Sequence, residues 1–481
     1  MRIAYVASEI TPFASTGGMA EVAGALPAAL QELGHEVLRF MPMYRGVLEG
    51  PLKAKALGLK LAIPVGFRAF TADIWYSDEP APRTYFIRRD EFFDRSQLYN
   101  LADRDYDDNF ERFVFFQKAV VALIDYLKLG VDVVHGNDWH CGLLPYFLQH
   151  GLQGTPRSRP EPFVFTLHNM AYQGIYSGDE YAITNLPFSC FSVDTMEYYG
   201  RINCLKGGIT GARAVTTVSP NYAKEITTKE WGVGLEGLIS SIGPRMSGIL
   251  NGIDTQLWSP ISDPALPACY TAQQMEGKGT CRQALLTKYR LKADPATTVL
   301  GMVTRLVEQK GMESLAEALP DLMTRNVVVF VLGSGEEKYQ QLCRTWAKRW
   351  PGKFACHLGY DAKLAHQVMA ASDLLLIPSR YEPCGISQFY AMQYGTLPVA
   401  HAVGGLEDSI ADASADGSTG TGFKYREPTG AGLLSAIDRG LALKAVPTAW
   451  RAVQQRAMSQ DLSWAIPARQ YAELYARIAR T

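Results

Sequence analysis

Short apolar runs, each stopped by glycine, proline or a polar cluster, alternate along this chain with stretches of helical periodicity. Residues 3–7 (Ile-Ala-Tyr-Val-Ala) form the first run. A loop containing Gly17-Gly18 follows, and Val22, Leu26, Ala29, Leu30 and Leu33 then mark one helix face, closed by Gly34. Residues 37–41, 131–134, 164–167 and 214–219 repeat the buried-strand pattern, and it restarts at 299–304, 326–332, 373–377 and 397–402. Between the later runs, Met312, Leu315 and Leu319, and then Ile386, Phe389, Tyr390 and Gln393, recur at helical spacing. Residues 464–479 read as a final helix. Strand, glycine loop, helix, strand is the opening of a Rossmann-like unit, and the series occurs twice. The pattern therefore predicts an α/β chain of two Rossmann-like domains, over 1–250 and 251–457.

Composition narrows the classes little. The chain has 481 residues, 47% hydrophobic and 20% charged, with a formal net charge of -1. That balance argues against a nucleic-acid footprint, which needs a basic surplus. The eight cysteines are scattered without a C-x-x-C pair, as expected of free thiols in a reducing compartment. No apolar run is long enough to span a bilayer, and the N-terminus enters a strand directly. The expectation is a soluble, cytoplasmic protein with no membrane partner. No H-x-x-x-H or H-E-x-x-H spacing occurs, so no metal is implied.

The polar residues collect at strand ends. The run 373–377 leads into a loop holding Glu382 and the Cys384-Gly385 pair ahead of a helix, and 397–402 ends at Gly404-Gly405. Open parallel sheets bind ligands at this edge. Helix-start N–H groups suit anionic oxygens and Glu382 suits hydroxyls, so a phosphorylated, hydroxyl-rich ligand fits. Gly17-Gly18 would let amides approach a diphosphate, or would merely make a tight turn. Arg305 and Lys310, five residues apart before a helix, read either as a diphosphate clamp or as surface cations. Gly333, opening a Gly-Ser-Gly loop, is a weak nucleotide signal alone. Two further strand ends carry Asp138 and the His168-Asn169 pair, a coincidence more informative than either alone. The aromatic, carboxylate-rich segment 88–116 suits sugar stacking or a buried core. A Rossmann oxidoreductase is disfavoured, because no G-x-G-x-x-G follows the first strand.

The run E-P-C-G-I-S-Q at 382–388, Y-G at 394–395 and G-G-L-E-D at 404–408 resembles the starch and glycogen synthases of glycosyltransferase family 5, in their bacterial form. So do D-W-H at 138–140, T-L-H-N at 166–169, R-L-V-E-Q-K-G at 305–311 and the Ser-Trp…Tyr…Leu-Tyr tail. The resemblance implies the GT-B fold, two Rossmann-like domains facing across a cleft, with residues 458–481 returning to the first. It implies retaining transfer of glucose from ADP-glucose to the non-reducing 4-hydroxyl of an α-1,4-glucan such as glycogen, without a metal or cofactor. The first domain would take the glucan and the second the nucleotide sugar. Glu382, His168, Asp138, Arg305 and Lys310 would be catalytic. Gly17, Gly18, Glu21, Asn169, Asn251, Gly333, Tyr360, Cys384, Gly385, Gly404 and Gly405 would line the substrates. One departure matters: the family pattern K-x-G-G-L-x-D-V stands here as S-T-G-G-M-A-E-V, with Ser15 in place of lysine and Glu21 in place of aspartate. A hydroxyl cannot bring a full charge to a diphosphate. That leaves open a catalytically weak or regulatory glucan-binding relative, and donor choice leaves open a GT-B transferase using UDP-glucose.

Overall fold

The computed structural model describes residues 1–52, 54–101, 104–158 and 160–480, which divide into two compact units. The first comprises 1–218, 223–249 and 464–481, and the second 219–222 and 250–463. Residues 458–463, assigned from sequence to the returning tail, thus belong to the second unit, and the tail starts at Trp464.

The first unit is built on a nine-stranded sheet in the order Met246–Gly248, Ala214–Thr217, Phe163–Leu167, Val133–Asn137, Arg2–Val6, Glu36–Pro42, Thr84–Arg88, Arg68–Ser77, Lys55–Val65. The strands from Met246–Gly248 through Thr84–Arg88 pair in parallel, in registers such as Ile3 opposite both Val37 and Val133. Most positions of these strands are buried on both faces, as parallel strands under helices must be. The last two strands form an antiparallel excursion at the edge. Sequence order reverses between Arg2–Val6 and Val133–Asn137, so the loops leaving these strands open at a topological switch point. The loop after Val6 carries Gly17 and leads into the helix Gly18–Glu32, which buries Met19, Val22, Ala23, Leu26 and Leu30. The terminal helix Ala465–Ala479 packs against that helix, and its Tyr475 hydroxyl lies 2.6 Å from His135 Nδ1 in the sheet.

Four rings of the aromatic-rich stretch form core. Phe92, Phe93, Phe110 and Phe113 are all buried, each contributing about 1.5–3 kcal/mol. Arg112, fully buried on the helix Asn109–Tyr126, donates to the carbonyls of Phe92 and Leu98 at 2.7 and 2.9 Å, which fixes the loop between them.

The second unit is a six-stranded parallel sheet in the order Phe354–Leu358, Val327–Gly333, Thr298–Val303, Leu374–Ile377, Leu397–His401, Phe423–Tyr425. The order reverses between Thr298–Val303 and Leu374–Ile377. The segments leaving those two strands, 304–311 and 378–387, therefore meet at this unit's own switch point. Among the described residues, no helix is long and apolar enough to cross a membrane.

Candidate active site

In the second unit the reversal brings together two residues 72 positions apart. Lys310 Nζ lies 2.5 Å from Glu382 Oε2, and Ser379 Oγ donates to the same oxygen at 2.9 Å. Both charged side chains are largely withdrawn from solvent, at 18% and 9% exposure. The backbone holds them there. Pro378 ends the strand Leu374–Ile377, Arg380 N–H donates to Gln309 O at 2.9 Å, and Gln309 Nε2 donates to Tyr381 O at 3.2 Å. These bonds tie the turn carrying Lys310 to the loop carrying Glu382. His401, at the end of the next strand, lies with its Nδ1 2.8 Å from Ser379 O. A narrow crevice lies here, lined by Thr304, Lys310, Ser379, Glu382 and Ser387 among others.

The other candidates of this unit lie at or just beyond the ends of its strands or in the loop that carries Glu382. Gly405 N–H donates to the carbonyls of Glu382 and Pro383 at 3.1 Å. Gly404 sits at φ +45°, and a Cβ on it would stand 2.0 Å from Glu382 O, so the close approach of the two loops requires glycine. The Cys384 thiol is buried against Asn251, and burial pushes its pKa up to about 12, so it is inert as a nucleophile. Gly385 starts the turn into the helix Ser387–Gln393, whose buried Gln388 donates to the Cys384 and Gly385 carbonyls at 3.1 Å. Gly333 ends its strand against Thr304 O. Arg305 is exposed and only lightly held, with Nη2 3.4 Å from Gln309 Oε1. Tyr360 is 91% exposed, two residues beyond the strand Phe354–Leu358.

In the first unit, Asp138 and His168 also meet. Asp138 Oδ1 accepts the His168 N–H at 2.7 Å, and the Asn169 N–H also binds this carboxylate. Asp138 lies at φ +53°, a strained conformation for a residue with a side chain, which marks functional positions more often than ordinary loops. Burial raises its pKa to about 7, against the pull of the two amides. His168 Nε2 lies 2.9 Å from Asn137 Oδ1. Asn137 Nδ2 donates to Val6 O at 2.9 Å and its Oδ1 accepts the Tyr5 hydroxyl at 3.1 Å, so the amide oxygen faces the ring. The histidine is thus the donor, with Nε2 protonated. Burial lowers its pKa to about 3, and the ring is neutral.

Gly17 answers a question left open by the sequence. Its backbone is extended, and an added Cβ would meet nothing within 4 Å. The turn itself does not demand glycine. Ser15 is exposed, and Glu21 stands in the first helical turn, where an acidic side chain is favoured by the helix dipole. Two residues of this site carry no sequence signal. Asn137 orients the histidine, and Glu9, 4% exposed, accepts from both the N–H and the hydroxyl of Thr16. Among the described residues no group of three or more His, Cys, Asp or Glu is placed to hold a metal ion.

The titrations predict a pH effect. His135 and His168 both have folded pKa values near 3, against 6.5 when unfolded. The unfolded chain then binds more protons below pH 6.5, so their contribution to stability is lost as pH falls. Asp138 works oppositely: its raised pKa makes the folded state the better proton acceptor between about pH 4 and 7, so acidification through that window stabilises it. Asp138→Asn should therefore lose more thermal stability than the parent between pH 7.5 and 5.5, as read by melting temperature.

Residues 2–241 match the family described as starch synthase catalytic domain, and residues 288–450 match glycosyl transferases group 1. A protein of Anaeromyxobacter dehalogenans named glycogen synthase is 41% identical, over 100% of this chain and 99% of its own length. The chain belongs to the glycogen and starch synthase family. A glycogen synthase of Opitutus terrae is 40% identical, over 99% of both chains. The catalytic domain of starch synthase IV from Arabidopsis thaliana, solved with ADP and acarbose, superposes with a TM-score of 0.90 at 31% identity, covering 100% of this chain and 99% of that one. Sucrose-phosphate synthase of Thermosynechococcus elongatus, at a TM-score of 0.62 and 18% identity, shares the fold alone. As a member of this family the chain is a glycosyltransferase, and its two Rossmann-like units are those of the GT-B fold.

Proposed function

We propose that the protein extends glycogen or a related α-1,4-glucan, transferring glucose from ADP-glucose to the non-reducing 4-hydroxyl with retention at the anomeric carbon. The observation that carries this reading is the Lys310–Glu382–Ser379 cluster at the second unit's switch point. Across this contact cation and carboxylate neutralise each other. A sugar nucleotide satisfies both: its phosphate takes Lys310, with Arg305 alongside, and its glucose hydroxyls take Glu382. The bond from the anomeric carbon to the phosphate oxygen breaks as the bond to the acceptor O4 forms. The acceptor proton passes to the leaving phosphate on the same face. Arg305, Lys310 and the Gly17-Gly18 amides stabilise the charge growing on the diphosphate. Neutral His168, held through Asn137, packs on the sugar, and Asp138 serves the acceptor side. The remaining substrate contacts belong to Asn169, Asn251, Gly333, Tyr360, Cys384, Gly385, Gly404 and Gly405. No metal enters this scheme, and the protein works in the cytoplasm. The ADP and acarbose in the Arabidopsis structure support both the nucleotide and the glucan-like acceptor.

The deciding experiment incubates the protein with glycogen and ADP-glucose or UDP-glucose, and measures nucleoside diphosphate release. Release with ADP-glucose alone supports the reading; release with UDP-glucose alone changes the donor; none with either overturns it. Ser15 favours one second reading, a weak or regulatory glucan binder. On the synthase reading, Ser15→Lys restores a charge at the diphosphate loop and should lower the KM for ADP-glucose about threefold to tenfold. An unchanged KM would take position 15 out of donor binding.

A further inference from the structure

Glu9 is a buried carboxylate in the loop after the first strand, where the mechanism above gives it no part. It accepts from both Thr16 and Tyr99. The Thr16 N–H donates to Oε2, and the Thr16 hydroxyl stands 2.9 and 3.0 Å from the two carboxylate oxygens. The Tyr99 hydroxyl donates to Oε1 at 3.2 Å and lies 2.8 Å from Ser8 Oγ. Tyr99 is itself anchored: its carbonyl accepts Asn109 Nδ2 at 2.9 Å, and Arg112 Nη1 donates to Asn109 Oδ1 at 2.5 Å. A continuous chain of bonds therefore runs from the buried Arg112 through Asn109, Tyr99 and Glu9 to Thr16, the residue before Gly17.

The far end of this chain is a surface with little else to hold it. Residues 15–18 are all exposed, and the helix N-cap, Gly17, makes no side-chain cap bond. A loop whose amides must meet a diphosphate has to present them in one conformation, or pay ordering entropy when the ligand binds. A buried carboxylate taking both donors of Thr16 removes that freedom, and bonds to an ionised acceptor are the strong ones.

We propose that Glu9 is a positioning residue for donor binding: through Thr16 it pre-sets the Gly17-Gly18 loop, with Tyr99, Asn109 and Arg112 as its frame. The proposal rests on the reading that this loop receives the nucleotide sugar. Two effects of Glu9 oppose each other, which makes the test decisive. As a negative charge near an anion it would weaken donor binding; as a brace it strengthens it.

Full-length Glu9→Gln, Thr16→Val, Thr16→Ser and the Glu9→Gln/Thr16→Val double variant are assayed with ADP-glucose and glycogen. The expected result is a donor KM raised about tenfold in Glu9→Gln and about fivefold in Thr16→Val, with the glycogen KM unchanged. Thr16→Ser, which keeps the hydroxyl, should restore the parental donor KM. The double variant should be no worse than Glu9→Gln alone, since both cut the same link. A donor KM that is unchanged or lower in Glu9→Gln overturns the proposal. So does a loss that tracks melting temperature and affects both substrates equally. Gly17→Ala separates this failure from that of the underlying reading, because its Cβ meets no protein atom within 4 Å and obstructs only what approaches from outside. If Gly17→Ala raises the donor KM and Glu9→Gln does not, the brace alone fails. If Gly17→Ala leaves it unchanged, the donor does not bind this loop.

Discussion

Glu382→Ala is expected to lower glycogen-dependent release of ADP by about a thousandfold, some 4 kcal/mol of transition-state stabilisation. The carboxylate is nearly buried, and its Oε2 is held by both Lys310 and Ser379 at the sheet edge. A group so pre-placed loses little entropy on meeting sugar hydroxyls. Its charge also opposes the positive charge that develops on the glucose ring as the phosphate leaves. Alanine removes both effects and leaves Lys310 without its anion. The fold should survive, because the segment is held by backbone bonds that the substitution spares: Gly405 N–H to Glu382 O, and Arg380 N–H to Gln309 O. A melting temperature within a few degrees of the parent, beside the thousandfold loss, would assign the effect to chemistry. Glu382→Gln, which keeps hydrogen bonds to hydroxyls and loses the charge, should fall between the two. Near-normal turnover in Glu382→Ala would remove this residue from the site.

What could be read in the sequence divides along physical lines. The parallel strands were legible because burial on both faces writes a continuous aliphatic run: Val327–Gly333 and Leu374–Ile377 are buried at every position. The strand ends were legible for the same reason, since the first polar residues after such a run must stand at the sheet edge. That placed Asp138, His168 and the Glu382 loop. The antiparallel excursion Lys55–Val65 and Arg68–Ser77 does carry a period-2 signal, with Leu57, Leu59, Leu61, Ile63 and Val65 at alternate positions, and a search for continuous aliphatic runs passes over it. Aromatics gave an ambiguous signal, and Phe92, Phe93, Phe110 and Phe113 proved to be core. Glu9 could not be found at all. Its partner Tyr99 lies 90 residues away, and nothing in a lone loop glutamate announces a bond made only after folding. Asn137 is hidden in the same way, within a strand, where its contacts with Tyr5 and His168 depend on register.

Lys310→Ala should cost about a hundredfold to a thousandfold in kcat/KM for ADP-glucose, and Arg305→Ala about a hundredfold, through different routes. Lys310 is a point charge with most of its side chain withdrawn from water, where Coulomb attraction is weakly screened. It also has to leave Glu382 to reach a phosphate, so part of its binding energy is spent on that exchange. Its contribution should therefore appear more in kcat, as charge on the departing phosphate grows, than in ground-state affinity. Arg305 is exposed, and among the described residues its side chain meets Gln309 alone, at 3.4 Å, so it gives up less there than Lys310 does. Its fork can take two phosphate oxygens at once, and its loss should appear largely in KM and in the affinity for ADP itself. Calorimetric titration with ADP separates the two: affinity should fall about tenfold or more in Arg305→Ala and less in Lys310→Ala. Arg305→Lys, keeping charge and losing the fork, should recover only part of it. An unchanged ADP affinity in Arg305→Ala would move that cation off the diphosphate, and an unchanged kcat in Lys310→Ala would leave the Lys310–Glu382 pair as structural support for the loop alone.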